Sequence, residues 1–212
     1  MATESTATQK VAGSEFWARL HESPGLALHA AIYTSMAERI APGCVLDLGC
    51  EYGLGSLLLA ETNPRLRVAG VDVDLPGLRY SQKTLHDAGR LERVNADARG
   101  LPVDSGSVSG VYLINLLHLL PEPARILSEV CRVLTPDGVA IISVPRGDPL
   151  ASGPHGANFM QQLAAQTQAL FADVEFPVEI LGQLPSFPAQ SFRLDGPNSP
   201  WIARCQKKKP TL

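Results

Sequence analysis

The chain has no run of about 18 or more apolar residues, so no segment of it is long enough to span a bilayer as a helix. Its four cysteines, Cys44, Cys50, Cys131 and Cys205, form no CxxC pair and no cluster with histidine, which argues against a zinc site or a disulfide framework. Reduced thiols in a cytosol are the simplest reading, and a cytoplasmic location is expected. The polar Thr/Ser/Ala-rich stretch from Met1 to Gln9 has no apolar core behind it, so no secretory signal is expected there. Positive charge is not in excess: 18 Lys and Arg stand against 21 Asp and Glu, a net charge of −3 that disfavours nucleic acid as a partner. The run Lys207-Lys208-Lys209 is the exception, and three lysines there read as a solvated tail. No G-K-[ST] motif occurs, which removes a P-loop, and no group of ligand-type residues suggests a metal. Neither a membrane nor a metal is expected.

What is present is enough apolar material for one large core. Hydrophobic residues make up 45% and charged residues 18% of 212 positions, a size that suits one domain with at most a small appendage. From residue 43 onward, short apolar runs alternate with longer helical stretches. Cys44 to Leu48 reads as a buried strand, followed by a glycine-rich turn and the helical run Ser56 to Ala60. Leu66 to Asp72 is a second strand. Pro76 then opens a helix to about Ala88, and a short third strand follows around Arg93 to Ala96. Gly110 to Ile114 is a fourth strand. After Pro121 a helix carries Ile126, Val130, Val133 and Leu134 on one face, Thr135 to Gly138 reads as a turn, and Val139 to Val144 is a fifth strand. Two further strands are expected near 173–181 and 199–206, separated by the Pro-rich 185–197, with a helix over 157–171 and a loop over 145–156. Strands alternating with helices in this way imply right-handed βαβ units and a mainly parallel sheet with helices on both faces. Residues 14–42 are expected to form a helical segment, a candidate lid, broken at Pro24-Gly25. Residues 1–13 are expected to be a disordered tail, 43–206 the main domain and 207–212 a basic tail.

The chemistry concentrates where the first strand ends. In an open α/β sheet, ligands bind beyond the carboxyl ends of the strands, and this strand runs straight into Gly49-Cys50-Glu51-Tyr52-Gly53-Leu54-Gly55. Glycines let backbone approach a ligand closely, and the following helix offers unpaired N–H groups. A dinucleotide fingerprint needs a third small residue, and here Leu58 stands in its place. Asp72, at the end of the second strand and 19 residues after Gly53, is placed to accept hydrogen bonds from both hydroxyls of a ribose, in NAD or in S-adenosylmethionine alike. The plainer alternative is that Asp72 caps a strand end.

Val45-Leu46-Asp47-Leu48-Gly49-Cys50-Glu51-Tyr52-Gly53 followed by Gly70-Val71-Asp72-Val73-Asp74 resembles the class I methyltransferases, in particular their small-molecule "type 11" group. Asn95-Ala96-Asp97-Ala98 before Leu101-Pro102 is similar to the family's acidic motif, Leu116-Leu117-His118-Leu119-Leu120 to its "LHHL" stretch, and Leu134-Thr135-Pro136-Asp137-Gly138 to its "LKPGG" turn. The likeness runs from about residue 43 to 145. It implies a Rossmann-like, doubly wound, mainly parallel seven-stranded sheet that takes S-adenosyl-L-methionine as cofactor and a small molecule as methyl acceptor. It also implies residue roles. Gly49 and the Cys50 backbone, with Gly53 in the same turn, would line the methionine portion, and Asp47 would lie near its ammonium group. Asp72 would hold the ribose and Val73 would pack on the adenine. Asp97 and the Ala98 N–H would meet the adenine edge, and Ile114 and Asn115 would face the methyl end.

The sequence departs from the family pattern at Glu51, where a second glycine is usual, and at Ser109, where an aspartate is. Glu51 either turns outward or bears on the charged methionine end, and Ser109 is expected to matter for strand packing. His118, after the fourth strand, is the candidate general base, with a pKa range suited to neutral pH; the alternative is a histidine packed among leucines. Phe16, Trp17 and His21 on the N-terminal segment and His155 in the loop after the fifth strand are further candidates for contact, and Tyr52 either stacks near the methionine chain or anchors the turn. A non-catalytic adaptor that keeps the fold, an NAD(P)-dependent oxidoreductase and a relative that uses the cofactor otherwise stay open as alternatives, because fold alone does not decide function.

Overall fold

The computed structural model describes residues 24–85, 91–145, 158–175, 177, 179–182, 190–194 and 200–207. Its helices are α1 (Pro24–Ala37), α2 (Leu54–Thr62), α3 (Leu75–Thr84), α4 (Pro123–Val133) and α5 (Phe159–Leu170). Its strands are β1 (Gly43–Leu48), β2 (Leu66–Asp72), β3 (Leu91–Asn95), β4 (Val108–Ile114), β5 (Leu134–Val144), β6 (Phe171–Glu175), β7 (Glu179–Gly182), β8 (Gln190–Arg193) and β9 (Trp201–Lys207).

Seven strands form one sheet in the order β3-β2-β1-β4-β5-β9-β6. The first five pair in parallel, and β9 inserts antiparallel between β5 and β6. The order reverses between β1 and β4, which opens a crevice at the carboxyl ends of those two strands. The central strands are mostly apolar and buried because both faces are covered. β4 reads Val-Ser-Gly-Val-Tyr-Leu-Ile, and all seven residues are buried. Alternate side chains feed two cores: Leu46, Val111, Leu113 and Ile142 pack with α4 and α5 on one face, and Val45, Tyr112, Ile114 and Ile141 pack with α1 and α2 on the other. In α4 the residues Ile126, Leu127, Val130 and Val133 are buried at helical spacing while Arg125 and Ser128 stay outside.

The doubly wound sheet agrees with the expectation, but several boundaries move. Thr135 to Gly138 is not a free turn. Leu134 pairs with Val108 and Val139 with Gly110, so the four residues bulge out of a strand that has already begun. The run expected as one strand near 173–181 divides into β6 and β7, with Pro177 between them, where a proline has no N–H for the ladder. β7 and β8 make a separate antiparallel pair that packs against α1. Lys207 ends β9 instead of opening a tail, and its Nζ donates to the Leu134 carbonyl. Pro24 is the first residue of α1, the position at which a missing N–H is harmless. The expected tail 1–13, Phe16, Trp17, His21, His155 and residues 208–212 lie outside the described residues. Among the described residues, no helix is long and apolar enough to cross a membrane.

Candidate functional site

The glycine turn is shaped by its first residue. Gly49 leaves β1 at φ +73°, and its N–H and that of Cys50 both donate to the Val71 carbonyl of β2, at 2.8 and 3.3 Å. That left-handed φ is one glycine adopts without strain, and a Cβ there would also press on Leu116 Cδ1 at 2.7 Å in the loop that follows β4. Gly55 matters for a different reason. A Cβ there would stand 2.2 Å from Tyr33 Cζ, and its absence lets α1 lay Tyr33 flat against the start of α2.

Tyr33 then reaches the floor of the site. Its ring stacks on Tyr112 with centroids 5.3 Å apart and planes 5° from parallel, and its hydroxyl donates to Asp47 Oδ1 at 3.0 Å. Ser56 Oγ of α2 donates to Asp47 Oδ2 at 2.6 Å. Asp47 is fully buried. Burial pushes its carboxyl up to about 6, although the hydrogen bonds from Ser56 and Tyr33 pull the other way. The same burial pushes the Tyr33 hydroxyl and the Cys50 thiol well above their ordinary values, with the nearby Asp47 adding to both shifts.

Asp72, one strand over, is held differently. The Glu51 N–H donates to Oδ2 at 2.9 Å and the Asp74 N–H to Oδ1 at 2.8 Å, so backbone from both neighbouring turns fixes the carboxylate. Asn95 of β3 steadies the same strand end by donating to the Asp72 and Val73 carbonyls at 2.9 and 3.0 Å. Across the crevice, Asn115 sits at φ +55°; its N–H donates to the Ser143 carbonyl at 3.0 Å, and Ser143 Oγ donates to its Oδ1 at 3.1 Å.

These groups enclose a cavity of about 580 Å³, a size ordinary for a small-molecule site. Of the residues expected at the site, Gly49, Cys50, Asp72, Ile114 and Asn115 line it, together with Glu51 and Tyr52. The others stand apart from the lining. Asp47 lies beneath it, with each carboxylate oxygen accepting from a hydroxyl of another helix. Gly53, at φ +78°, caps α2 and faces Ser81 of α3. Val73 is 69% exposed on the outer shelf of β2. Asp97 is held by Arg99 through contacts of 2.6 to 3.1 Å, which bring its carboxyl down to about 2, and Ala98 beside it is buried. His118 is only 4% exposed and does not line the cavity, although Leu116 and Leu119 on either side of it do. Its burial accords with a packed histidine. Ser109 Oγ donates to the Cys44 carbonyl at 3.0 Å, at the opposite end of the sheet from the cavity.

Two titratable lining residues escaped the sequence reading: His29 and Tyr33 of α1. They stand four apart, which places them on one helix face, and their rings meet with centroids 5.3 Å apart. Among the described residues, no group of three or more His, Cys, Asp or Glu is arranged to hold a metal ion.

Parts of the chain are similar to known proteins. Residues 46–142 match the type 11 family described as "Methyltransferase domain". The chain is 34% identical over 94 residues to the fatty-acid O-methyltransferase of Mycolicibacterium smegmatis, covering 44% of this chain and 34% of that protein. It is 32% identical over 139 residues to a probable S-adenosylmethionine-dependent methyltransferase of the same organism, covering 64% of this chain and 48% of that one. The chain thus spans from a third to a half of the length of these relatives. A solved structure of phosphoethanolamine N-methyltransferase 2 from Haemonchus contortus superposes with a TM-score of 0.57 at 19% identity, over 68% of this chain and 37% of that one, a likeness of fold. Over residues 46–142 the chain is thus similar to the methyltransferases of the type 11 group.

Proposed function

We propose that this protein binds S-adenosyl-L-methionine and directs methyl transfer to a small-molecule acceptor in the cytoplasm. The observation that carries the reading is the Asp72 carboxylate. It borders the cavity, and two backbone N–H groups hold its oxygens and leave further lone pairs for the two hydroxyls of a ribose. The glycine turn gives a methionine chain room at Gly49 and Cys50. The N-terminal end of α2, at Leu54 and Gly55, borders the same space and favours a carboxylate. A ligand continuing outward from Asp72 would meet Val73 and then the Asp97-Ala98 segment after β3, where Arg99 must share Asp97 with an adenine amino group. Ile114 and Asn115 would border the methyl end. Asp47 would act from below by fixing the turn.

When bound, S-adenosylmethionine supplies an electrophilic methyl carbon. The chain's task is then to exclude water and hold the acceptor in line, which is where most of the protein's contribution to such a reaction lies. Apolar residues from α1, α2 and the loop after β4 suit that task. A small-molecule acceptor fits a cavity of about 580 Å³, and the named activity of the fatty-acid relative supports the same class. The four free cysteines accord with a reducing compartment.

Calorimetric titration with S-adenosylmethionine, S-adenosylhomocysteine and NADH tests the reading. The first two should bind and NADH should not. Asp72→Asn should weaken both by roughly tenfold to a hundredfold, the range for losing hydrogen bonds to a charged group. Failure of S-adenosylmethionine and S-adenosylhomocysteine to bind would overturn the proposal.

A further inference from the structure

We propose that His29 is the proton acceptor of this site and that the acceptor substrate presents a neutral hydroxyl, as an alcohol or a phenol does. The inference rests on the methyl-transfer reading and adds to it a residue and a substrate class. It starts from α1. Tyr33 is locked to Asp47, and His29, one turn earlier on the same face, is thereby held over the cavity with its ring against Tyr33.

The other titratable groups lining the cavity are occupied or unsuited to the role. The Tyr33 hydroxyl is committed to Asp47. Asp72 is bound by two backbone N–H groups and stands where the ribose would lie. The Cys50 thiol is buried and kept in its protonated form by desolvation and by Asp47 and Asp72. Glu51 and Tyr52 are exposed. That leaves the imidazole, which partial burial keeps neutral, and therefore able to accept a proton, near pH 7. The elements packed against α1 are α2, β7, β8 and the sheet beneath it, where β1 presents Asp47 and β4 presents Tyr112 to Tyr33. α2 carries one charged residue, Glu61, near its far end, while β7 carries Glu179 and β8 carries Arg193.

The lining also speaks to the acceptor. Among the described residues around the cavity there is no lysine or arginine, while Leu28, Ile32, Leu116 and Leu119 supply apolar surface. Such a wall has no counter-charge for a carboxylate or phosphate beside the imidazole. A neutral hydroxyl needs none, but it is a poor nucleophile until its proton is removed. As the oxygen forms its bond to the methyl carbon, its proton passes to an imidazole nitrogen. The carbon–sulfur bond of the methyl donor breaks with the electron pair left on sulfur, and the imidazolium later returns its proton to water.

The test uses the full chain, with phenol as the hydroxyl probe and S-adenosylhomocysteine to fill the cofactor site. Histidine resonances are followed by NMR from pH 5 to 8, with His29 assigned by its loss in His29→Gln. His29 should titrate below 6.5, and phenol should shift its resonance and its titration midpoint while leaving His118 unmoved. In the same chain, labelled methyl should pass from S-adenosylmethionine to members of a panel of phenols and alcohols. In His29→Gln that rate should fall roughly 10²- to 10⁴-fold, the range for losing a general base, and the acid limb of kcat/KM should disappear. S-adenosylhomocysteine affinity should stay within threefold of wild type, roughly 0.7 kcal/mol or less, which shows that the variant is folded. A midpoint at or above 6.5, no response to phenol, or equal rates in the variant would overturn the assignment. If S-adenosylhomocysteine binds normally while phenol leaves His29 unmoved, the fault lies with His29 alone; if S-adenosylhomocysteine does not bind, the cofactor reading itself has failed.

Discussion

Asp47 and Asp72 end neighbouring parallel strands, yet they live in opposite surroundings. Asp47 is fully buried and is bonded by two side-chain hydroxyls, one from α1 and one from α2. Asp72 borders the cavity and is bonded by two backbone N–H groups from the turns on either side of it. The difference lies in who the donors are. Hydroxyls brought from distant helices tie Asp47 into the core, so its chemistry is that of a clamp between α1 and the glycine turn. Main-chain donors from local turns orient Asp72 without covering it, which leaves it able to receive a ligand. A buried carboxylate and an open one, on directly paired strands, divide the labour of building the site and of using it.

Removing each side chain should break the pair apart. Asp47→Ala leaves the Tyr33 and Ser56 hydroxyls buried without their acceptor and opens a small void. At pH 5, where the carboxyl is protonated and no buried charge is relieved by its removal, the loss should be about 3 kcal/mol. For a domain of this size that corresponds to a melting temperature lower by roughly 6–12 °C. Asp72→Asn, measured the same way, should melt within about 4 °C of wild type, because it gives up one of two hydrogen bonds at an exposed turn where water can replace it, a loss of about 1 kcal/mol. Differential scanning calorimetry of the two variants checks the contrast, and equal losses would show that Asp72 is also structural.

A second effect follows from the raised carboxyl of Asp47. An acid whose value moves from 3.8 in the unfolded chain to about 6 in the folded one binds its proton more tightly when folded. Its contribution to stability is therefore complete below 3.8 and is lost as pH rises through about 6. Between pH 4 and pH 7 wild type should lose up to about 3 kcal/mol relative to Asp47→Asn, which carries no titrating group there. Urea unfolding at four or five pH values measures the difference. Parallel curves for the two proteins would mean that Asp47 is not ionising from the buried position.

Local chemistry is what could be read from the chain. The glycine turn and the acid closing β2 were legible because strand, turn and helix follow one another without interruption. The two sides of the sheet were legible because the central strands are mostly apolar on both faces. The clamp was not, because Tyr33 reaches Asp47 across 14 positions of sequence and only the docking of α1 brings them together. His29 was hidden for the same reason. Asp97 was legible as an acid after β3, but Arg99, two residues on, competes for the carboxylate in a way that motif spacing does not show. Thr135 to Gly138 has the residues of a turn, and nothing local reveals that β4 and β5 already pair before it. The β7–β8 pair was missed because its connection, 183–189, falls in a Pro-rich stretch that reads as loop.

Glu51 offers the finest test of how the turn serves Asp72. It occupies the left-handed region at φ +48°, where an L side chain crowds the following carbonyl at a cost of about 1–2 kcal/mol. Glycine would remove that strain, and its greater freedom in the unfolded chain would return about 0.5–1 kcal/mol of the gain. Glu51→Gly should therefore stabilise the protein by about 0.5–1 kcal/mol, a rise in melting temperature of roughly 1–4 °C. The N–H that holds Asp72 belongs to the backbone and survives the change, so ribose binding should too. If the carboxylate points into solvent, as its exposure indicates, S-adenosylmethionine affinity should stay within about threefold, equivalent to roughly 0.7 kcal/mol. A larger, salt-dependent change would place the Glu51 charge against the methionine end of the ligand. Asp72 would then share with Glu51 the electrostatic part of recognition that the comparison with Asp47 assigns to Asp72 alone.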